Sequence, residues 1–127
     1  MILRIARPVS DLTLSRRMII RGFGWEVLAE FEDHQGFDGC ILGVPGAQYH
    51  LEITYCRTHP VVPQPTEEDL IVLYVPSKLE FERRSTMMLE AGFTVVNPYN
   101  PYWGFVGKTF EDQDGYRFVI QQEEWVR

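Results

Sequence analysis

Three prolines between His59 and Glu68 (His59-Pro60-Val61-Val62-Pro63-Gln64-Pro65-Thr66-Glu67-Glu68) divide the chain into two stretches that read in the same order. Proline fixes φ and removes a backbone donor, so residues 59–68 are expected to be an extended linker. The first stretch, about residues 1–58, opens with a strand at 2–8. Ser10 or Asp11 is placed to cap a helix over about 11–22. Gly24-Trp25-Glu26-Val27-Leu28 begins a second strand, and further strands are expected at 38–44 and 48–55. The second stretch, about residues 69–127, opens with Asp69-Leu70-Ile71-Val72-Leu73-Tyr74-Val75, which Pro76 ends. Ser77-Lys78-Leu79-Glu80 has the spacing of a capping box, and a helix to about Glu90 follows. Gly92-Phe93-Thr94-Val95-Val96 starts the next strand, with two more at about 104–110 and 116–122.

A strand, a helix and three strands, twice over, constrain the fold more than any composition figure. The residues echo the repeat: Leu12, Arg16 and Arg17 match Leu79, Arg83 and Arg84 at one offset, and Gly24-Trp25 matches Gly92-Phe93 after a one-residue shift. Each module presents an apolar sheet face that its helix must cover. The expected fold is therefore α+β: two strand-helix-three-strand modules forming a curved mixed sheet, with helices outside and a concave cup within. Alternation assigns the faces. Gln48, His50, Glu52 and Thr54 fall on one side of their strand, and Tyr49, Leu51 and Ile53 on the other. In residues 116–121, Phe118 and Ile120 point to the core, and Arg117, Val119 and Gln121 to the cup.

A length of 127 residues suits one domain over 1–127, with a real core. The net charge of −6, with no basic face, argues against a nucleic-acid partner. No run approaches the roughly 20 apolar residues of a membrane span. The opening Met1-Ile2-Leu3-Arg4-Ile5-Ala6-Arg7 lacks the apolar core of a signal peptide. Cys40 and Cys56 form no close metal-type pair and read as reduced thiols of a cytoplasmic protein. There is no Gly-rich phosphate loop, no Ser-His-Asp elbow and no Cys-x-x-Cys motif, and nothing marks either thiol as activated.

Two strand-like runs flank Phe110-Glu111-Asp112-Gln113-Asp114-Gly115-Tyr116, whose Asp-Gly step tolerates the positive φ of a tight hairpin. Together with the repeat and the opening Arg7-Pro8-Val9-Ser10-Asp11-Leu12, this hairpin resembles the vicinal oxygen chelate superfamily. That superfamily holds glyoxalase I, bleomycin-resistance proteins, fosfomycin-resistance enzymes and extradiol dioxygenases. Phe31 to Gly39, Tyr49-His50-Leu51-Glu52 and Asn97 to Trp103 narrow the resemblance to a glyoxalase/bleomycin-resistance-like branch.

The resemblance implies four inward metal-ligand positions, two per module. Here they correspond to Arg4, Leu70, Val119 and either Glu52 or His50. Leucine and valine offer no donor, and a protonated arginine binds no cation. Metal sites of the catalytic kind need about three protein ligands. Two readings follow. In the first, the chain is a metal-free small-molecule-binding protein resembling the bleomycin-resistance proteins, with no cofactor. Leu70, Tyr74 and Trp103 would hold a small apolar or aromatic ligand, and Arg4, His50, Glu52, Arg117 and Gln121 would orient its polar groups or pair with one another. In the second, Glu52 and His50 hold a divalent metal in a glyoxalase-type lyase or dioxygenase. The resemblance also implies a homodimer.

Asn97-Pro98-Tyr99-Asn100-Pro101-Tyr102-Trp103 is the densest aromatic loop, readable as a pocket wall or as a rigid connector. Asp33 to Gly39 reads as a solvated turn with a lone His34. Arg16-Arg17 and Arg83-Arg84 read as solvated helix faces. The tail Glu123 to Arg127 offers Trp125 to a dimer contact or to local packing.

Overall fold

The structure is a computed structural model that describes residues 1–126. The chain divides into two compact units, Met1–Pro63 and Gln64–Arg127, parted within the proline stretch. Arg127 of the predicted tail lies outside the described residues, and Trp125 is exposed.

The first unit runs β1 (Leu3–Pro8), α1 (Leu12–Phe23), β2 (Glu26–His34), β3 (Phe37–Gly43) and β4 (Tyr49–Cys56). The second runs β5 (Leu70–Tyr74), α2 (Lys78–Ala91), β6 (Thr94–Val96), a 3-10 turn (Pro101–Gly104), β7 (Gly107–Glu111) and β8 (Arg117–Gln121). Each unit builds one four-stranded mixed sheet of the same topology, β1-β4-β3-β2 and β5-β8-β7-β6. In both, the first strand pairs in parallel with the last, and the remaining pairs are antiparallel. The α+β class and the doubled strand-helix-three-strand order are as expected from the repeat.

The two glycine-aromatic pairs explain why the modules match. Asp11 Oδ1 accepts the Leu14 N–H at 3.0 Å and starts α1. Gly24, at φ +71°, ends it, and its N–H bonds to the Ile20 carbonyl. Gly92, at φ +108°, ends α2 in the same left-handed conformation. A side chain at either place would meet its own carbonyl, which is why glycine closes these helices. The next residue then turns inward: Trp25 packs edge-on against Phe23 at 4.9 Å, and Phe93 against Phe118 at 5.5 Å. The strands first expected from Gly24 and Gly92 accordingly begin two residues later. Ser77 Oγ accepts the Glu80 N–H at 3.3 Å, and the Glu80 carboxylate reaches Arg83 at 3.3 Å.

Alternation is visible in the middle of β4, although Tyr49 at its start is exposed and β8 is buried along its whole length. Leu51 and Ile53 are buried, while His50, Glu52 and Thr54 are half-buried. Phe118 and Ile120 join Phe110 and Met88 in the core of the second unit. The strand expected at 104–110 is shorter than read, because Pro101–Gly104 closes as a 3-10 turn and β7 starts at Gly107.

The β2–β3 hairpin carries its own acid-sensitive lock. Arg57 Nε donates to both Asp38 oxygens at 3.0 and 3.0 Å, and Asp38 Oδ1 also accepts the Asp33 N–H at 2.9 Å. The Arg57 guanidinium, and after it the Asp33 N–H, hold the Asp38 carboxyl below its ordinary value of 3.8. A carboxyl lowered by folding stabilises fully above its unfolded value and loses that contribution as pH falls through the folded one. Asp38→Asn is therefore expected to flatten part of the drop in melting temperature between about pH 5 and about pH 2, read by thermal denaturation of both proteins.

Candidate functional site

In the first unit the parallel register sets Arg4 beside His50 on adjacent strands, with Glu52 two residues further on. Arg4 Nη1 bonds to Glu52 Oε1 at 3.1 Å, and Arg4 Nε donates to His50 Nδ1 at 3.1 Å. An accepting Nδ1 leaves the ring proton on Nε2. One guanidinium thus occupies both side chains that the resemblance would offer to a metal. Among the described residues, no three His, Cys, Asp or Glu side chains are grouped so that they could hold a metal ion.

The second unit holds a cavity of about 240 Å³. Leu70 and Val72 of β5, Thr109 of β7 and Arg117 of β8 form its sheet wall. Pro98, Tyr99, Asn100 and Trp103 form the facing loop wall, and Glu67 and Glu68 also line it. The loop is held locally. Asn100 Oδ1 accepts the Tyr102 N–H at 3.0 Å, the Trp103 N–H bonds to the Asn100 carbonyl at 3.1 Å, and Pro101 opens the turn. Tyr102 packs edge-on against Trp103 at 4.9 Å. The loop can lie on the sheet because Gly107 has no side chain. A Cβ there would stand 2.7 Å from the Trp103 carbonyl oxygen and would also meet Gln121 Oε1.

Arg117 is the one cation among the described lining residues, and its side chain is 10% exposed. The sequence reading allowed it to pair with Glu52. Its partner is instead Glu111, at 2.8 Å from Nε, because the β7–β8 register sets Glu111 directly opposite. Glu67 lies 4.0 Å from Nη2, and the Asn97 carbonyl 3.5 Å from Nη1. The Asp-x-Asp-Gly turn fixes that register: Asp112 Oδ1 accepts the N–H groups of Asp114 and Tyr116 at 2.9 and 3.0 Å.

Leu70, Trp103 and Arg117 thus share one cavity, and Arg4, His50 and Glu52 share one hydrogen-bonded group in the other unit. Tyr74 and Gln121 are register partners at the far end of β5 and β8 and do not line the cavity. Val119 is fully buried between them and Arg117. Sequence reasoning missed Glu67, Glu111 and Thr109. The hairpin length could have pointed to Glu111, and alternation about Phe110 to Thr109.

Two further features differ from expectation or compete with the cavity. The backbone N–H of His59, and then the Thr58 side chain, hold the Cys56 thiol below its ordinary value, while burial pushes Cys40 up. Loop geometry of this kind leaves no trace in residue spacing. A hollow of about 440 Å³ in the first unit is lined by Arg16, Glu30, Asp38, Arg57 and their neighbours. Four of its charges pair, Arg16 with Glu30 at 3.2 Å and Arg57 with Asp38 at 2.9 Å. It has no aromatic loop wall of the kind that faces the sheet in the second unit.

Comparison with known proteins matches both halves. Residues 3–54 match the family model of the YycE-like N-terminal domain, and residues 68–122 that of the YycE-like C-terminal domain. The uncharacterized protein YycE of Bacillus subtilis is 36% identical over 124 residues, covering 98% of this chain and 89% of that protein. A crystal structure of a YycE protein of unknown function from Bacillus subtilis superposes with a TM-score of 0.91 at 35% identity, covering 98% and 91% of the two chains. Glyoxalase I of Leishmania major shares the fold at TM-score 0.74 and 17% identity, covering 97% and 86%. TnmS3, an antibiotic binding protein from Streptomyces sp. CB03234, shares it at TM-score 0.67 and 20% identity, covering 98% and 96%.

Proposed function

We propose that this chain, which belongs to the YycE-like family of the vicinal oxygen chelate superfamily, binds a small aromatic molecule without metal-centred chemistry. The observation that carries the reading is the cavity itself, with a proline-braced tryptophan facing Leu70 and Val72. Leu70, Val72, Pro98 and Trp103 give the slot an apolar side, and Glu67, Glu68, Asn100, Thr109 and Arg117 set polar groups around it; a concave site of placed polar groups against an apolar wall suits a small molecule. At about 240 Å³ it suits a ligand smaller than the drug-sized molecules of typical ~300–1,000 Å³ pockets. That an antibiotic binding protein shares the fold agrees with this use of it.

The donor set supports the metal-free half of the proposal. Leu70 and Val119 have no lone pair to give, and Arg4 already holds Glu52 and His50. A divalent ion at Glu52 would have to displace a guanidinium and would then lack further ligands. The same reading makes the protein a cytoplasmic homodimer with no nucleic-acid or membrane partner. Its net charge of −6 favours the first of those exclusions. No helix among the described residues is long and apolar enough to cross a membrane.

Screening small aromatic compounds by thermal shift is expected to find stabilising ligands, and Trp103→Ala to weaken them at least about tenfold. Equilibration with zinc, nickel, manganese or iron, followed by desalting and metal analysis, is expected to leave no stoichiometric ion. One tightly held equivalent that Glu52→Ala abolishes would sink the metal-free reading and turn attention to the lyase or dioxygenase alternative.

A further inference from the structure

We infer that Nη2 of Arg117 is the polar anchor of the cavity and takes a neutral carbonyl oxygen, so that the ligand is an aromatic ketone, amide or lactone and not a carboxylate. The inference rests on the cavity reading above and names the ligand class of that site. Arg117 lines the cavity with its side chain 10% exposed. A guanidinium holds its N–H donors in one rigid plane, and all of them call for acceptors once water is excluded. Nε donates to Glu111 at 2.8 Å, and Nη1 reaches the Asn97 carbonyl at 3.5 Å. Nη2 has only Glu67, at 4.0 Å, which is beyond hydrogen-bond reach. Some polar atoms of the described residues are both unpartnered and sealed from solvent, but no Arg117 nitrogen is among them. Nη2 is therefore unpartnered and open, on a side chain that lines the cavity. An oxygen placed there would accept from a charged donor, the stronger kind of hydrogen bond.

The apolar wall stands next to that donor. Parallel register makes Leu70 the partner of Arg117 on the neighbouring strand, and Val72 follows on the same face of β5. Trp103 lines the cavity from the loop. A ring seated between Trp103 and Leu70 would set its substituent at the guanidinium. Sites built to bond a polar group reject the analogue that lacks it, since their own group is then left bare.

Charge decides between a carbonyl and a carboxylate. The single positive charge of Arg117 already faces Glu111 at 2.8 Å and Glu67 at 4.0 Å, and Glu68 lines the same cavity. The turn that carries Glu67 and Glu68 is tied down: Asp69 Oδ2 accepts from the Thr66 N–H at 2.8 Å and from Thr66 Oγ1 at 2.7 Å. An anion entering there would meet more negative than positive charge, whereas a carbonyl oxygen takes the N–H groups without adding to it.

Three naphthalenes with planar substituents of one shape test this: 2-acetylnaphthalene, 2-isopropenylnaphthalene and 2-naphthoate, titrated by calorimetry. Wild type is expected to bind the ketone about tenfold or more tighter than the alkene, with 2-naphthoate weaker than the ketone. Glu67→Gln is expected to strengthen 2-naphthoate about threefold or more and to leave the ketone-to-alkene ratio unchanged. Arg117→Met combined with Glu111→Gln is expected to bring that ratio close to one while alkene binding persists. The carbonyl stretch of the ketone bound to wild type, read by infrared difference spectroscopy, is expected below its value in cyclohexane, a readout that needs no variant to fold. Equal binding of ketone and alkene by wild type, tightest binding of 2-naphthoate, a ratio that survives in the double variant, or a carbonyl stretch at the cyclohexane value would overturn the inference and leave the cavity reading standing. Failure of all three probes on folded wild type would remove the aromatic-binding reading and this inference with it.

Discussion

Phe118→Ala is expected to cost about 3–5 kcal/mol of stability, the range for emptying a buried phenylalanine site. The ring is 2% exposed on the central strand β8, packs edge-on against Phe93 at 5.5 Å, and lies opposite Phe110, which is fully buried. Chemical denaturation followed by tryptophan fluorescence should show a lower midpoint with little change in slope, since the cavity forms in the native state. The indole at Trp103 lies in the same unit and reports on it directly. A loss below about 1 kcal/mol would mean that the sheet collapses around the missing ring, against the close packing described for this core.

Arg117→Met is the second large effect, expected at about 2–4 kcal/mol. Removing one member of a buried ion pair commonly costs ~3–5 kcal/mol, because the other is left unpaired. Here the side chain of Glu111 remains 32% exposed, so water recovers part of that cost. Adding Glu111→Gln to Arg117→Met is therefore expected to return at least half of the loss. The double-mutant cycle measured by denaturation gives the coupling directly. Additive losses would show that Arg117 stabilises through its packing under the loop and not through Glu111. Neither experiment depends on knowing the ligand.

How far the residues alone disclose this depends on the range of the contact. Helix ends and strand faces were legible because they rest on local rules: Asp11 and Ser77 as caps, left-handed Gly24 and Gly92, and the period of two through Tyr49 to Thr54. The Arg4–Glu52 pair was legible once alternation put Glu52 on the polar face and the family resemblance put Arg4 at an inward position. Arg117 went to a different carboxylate, because hairpin register outranks mere membership of a face. Tyr74 and Gln121 share a face with Leu70 and Arg117 but stand four residues along, roughly 13 Å away at ~3.3 Å per residue. A common face is not a common cavity. Thr109 escaped notice because no faces were assigned along the strand expected at 104–110, although alternation about Phe110 reaches it.

The strand order also bears on how the protein is made. Since β1 lies beside β4, and β5 beside β8, each unit holds its first strand only through its last. A nascent chain can complete the first sheet once Cys56 has cleared the ribosome, while the second is still being synthesised. The second sheet has to wait for Gln121. A translation product that stops before Arg117 lacks the strand between β5 and β7, so β5 has no neighbour and α2 no sheet centre to cover. Termination before Arg117 would therefore release a finished first sheet tethered to an unfinished second, a substrate for quality-control proteases.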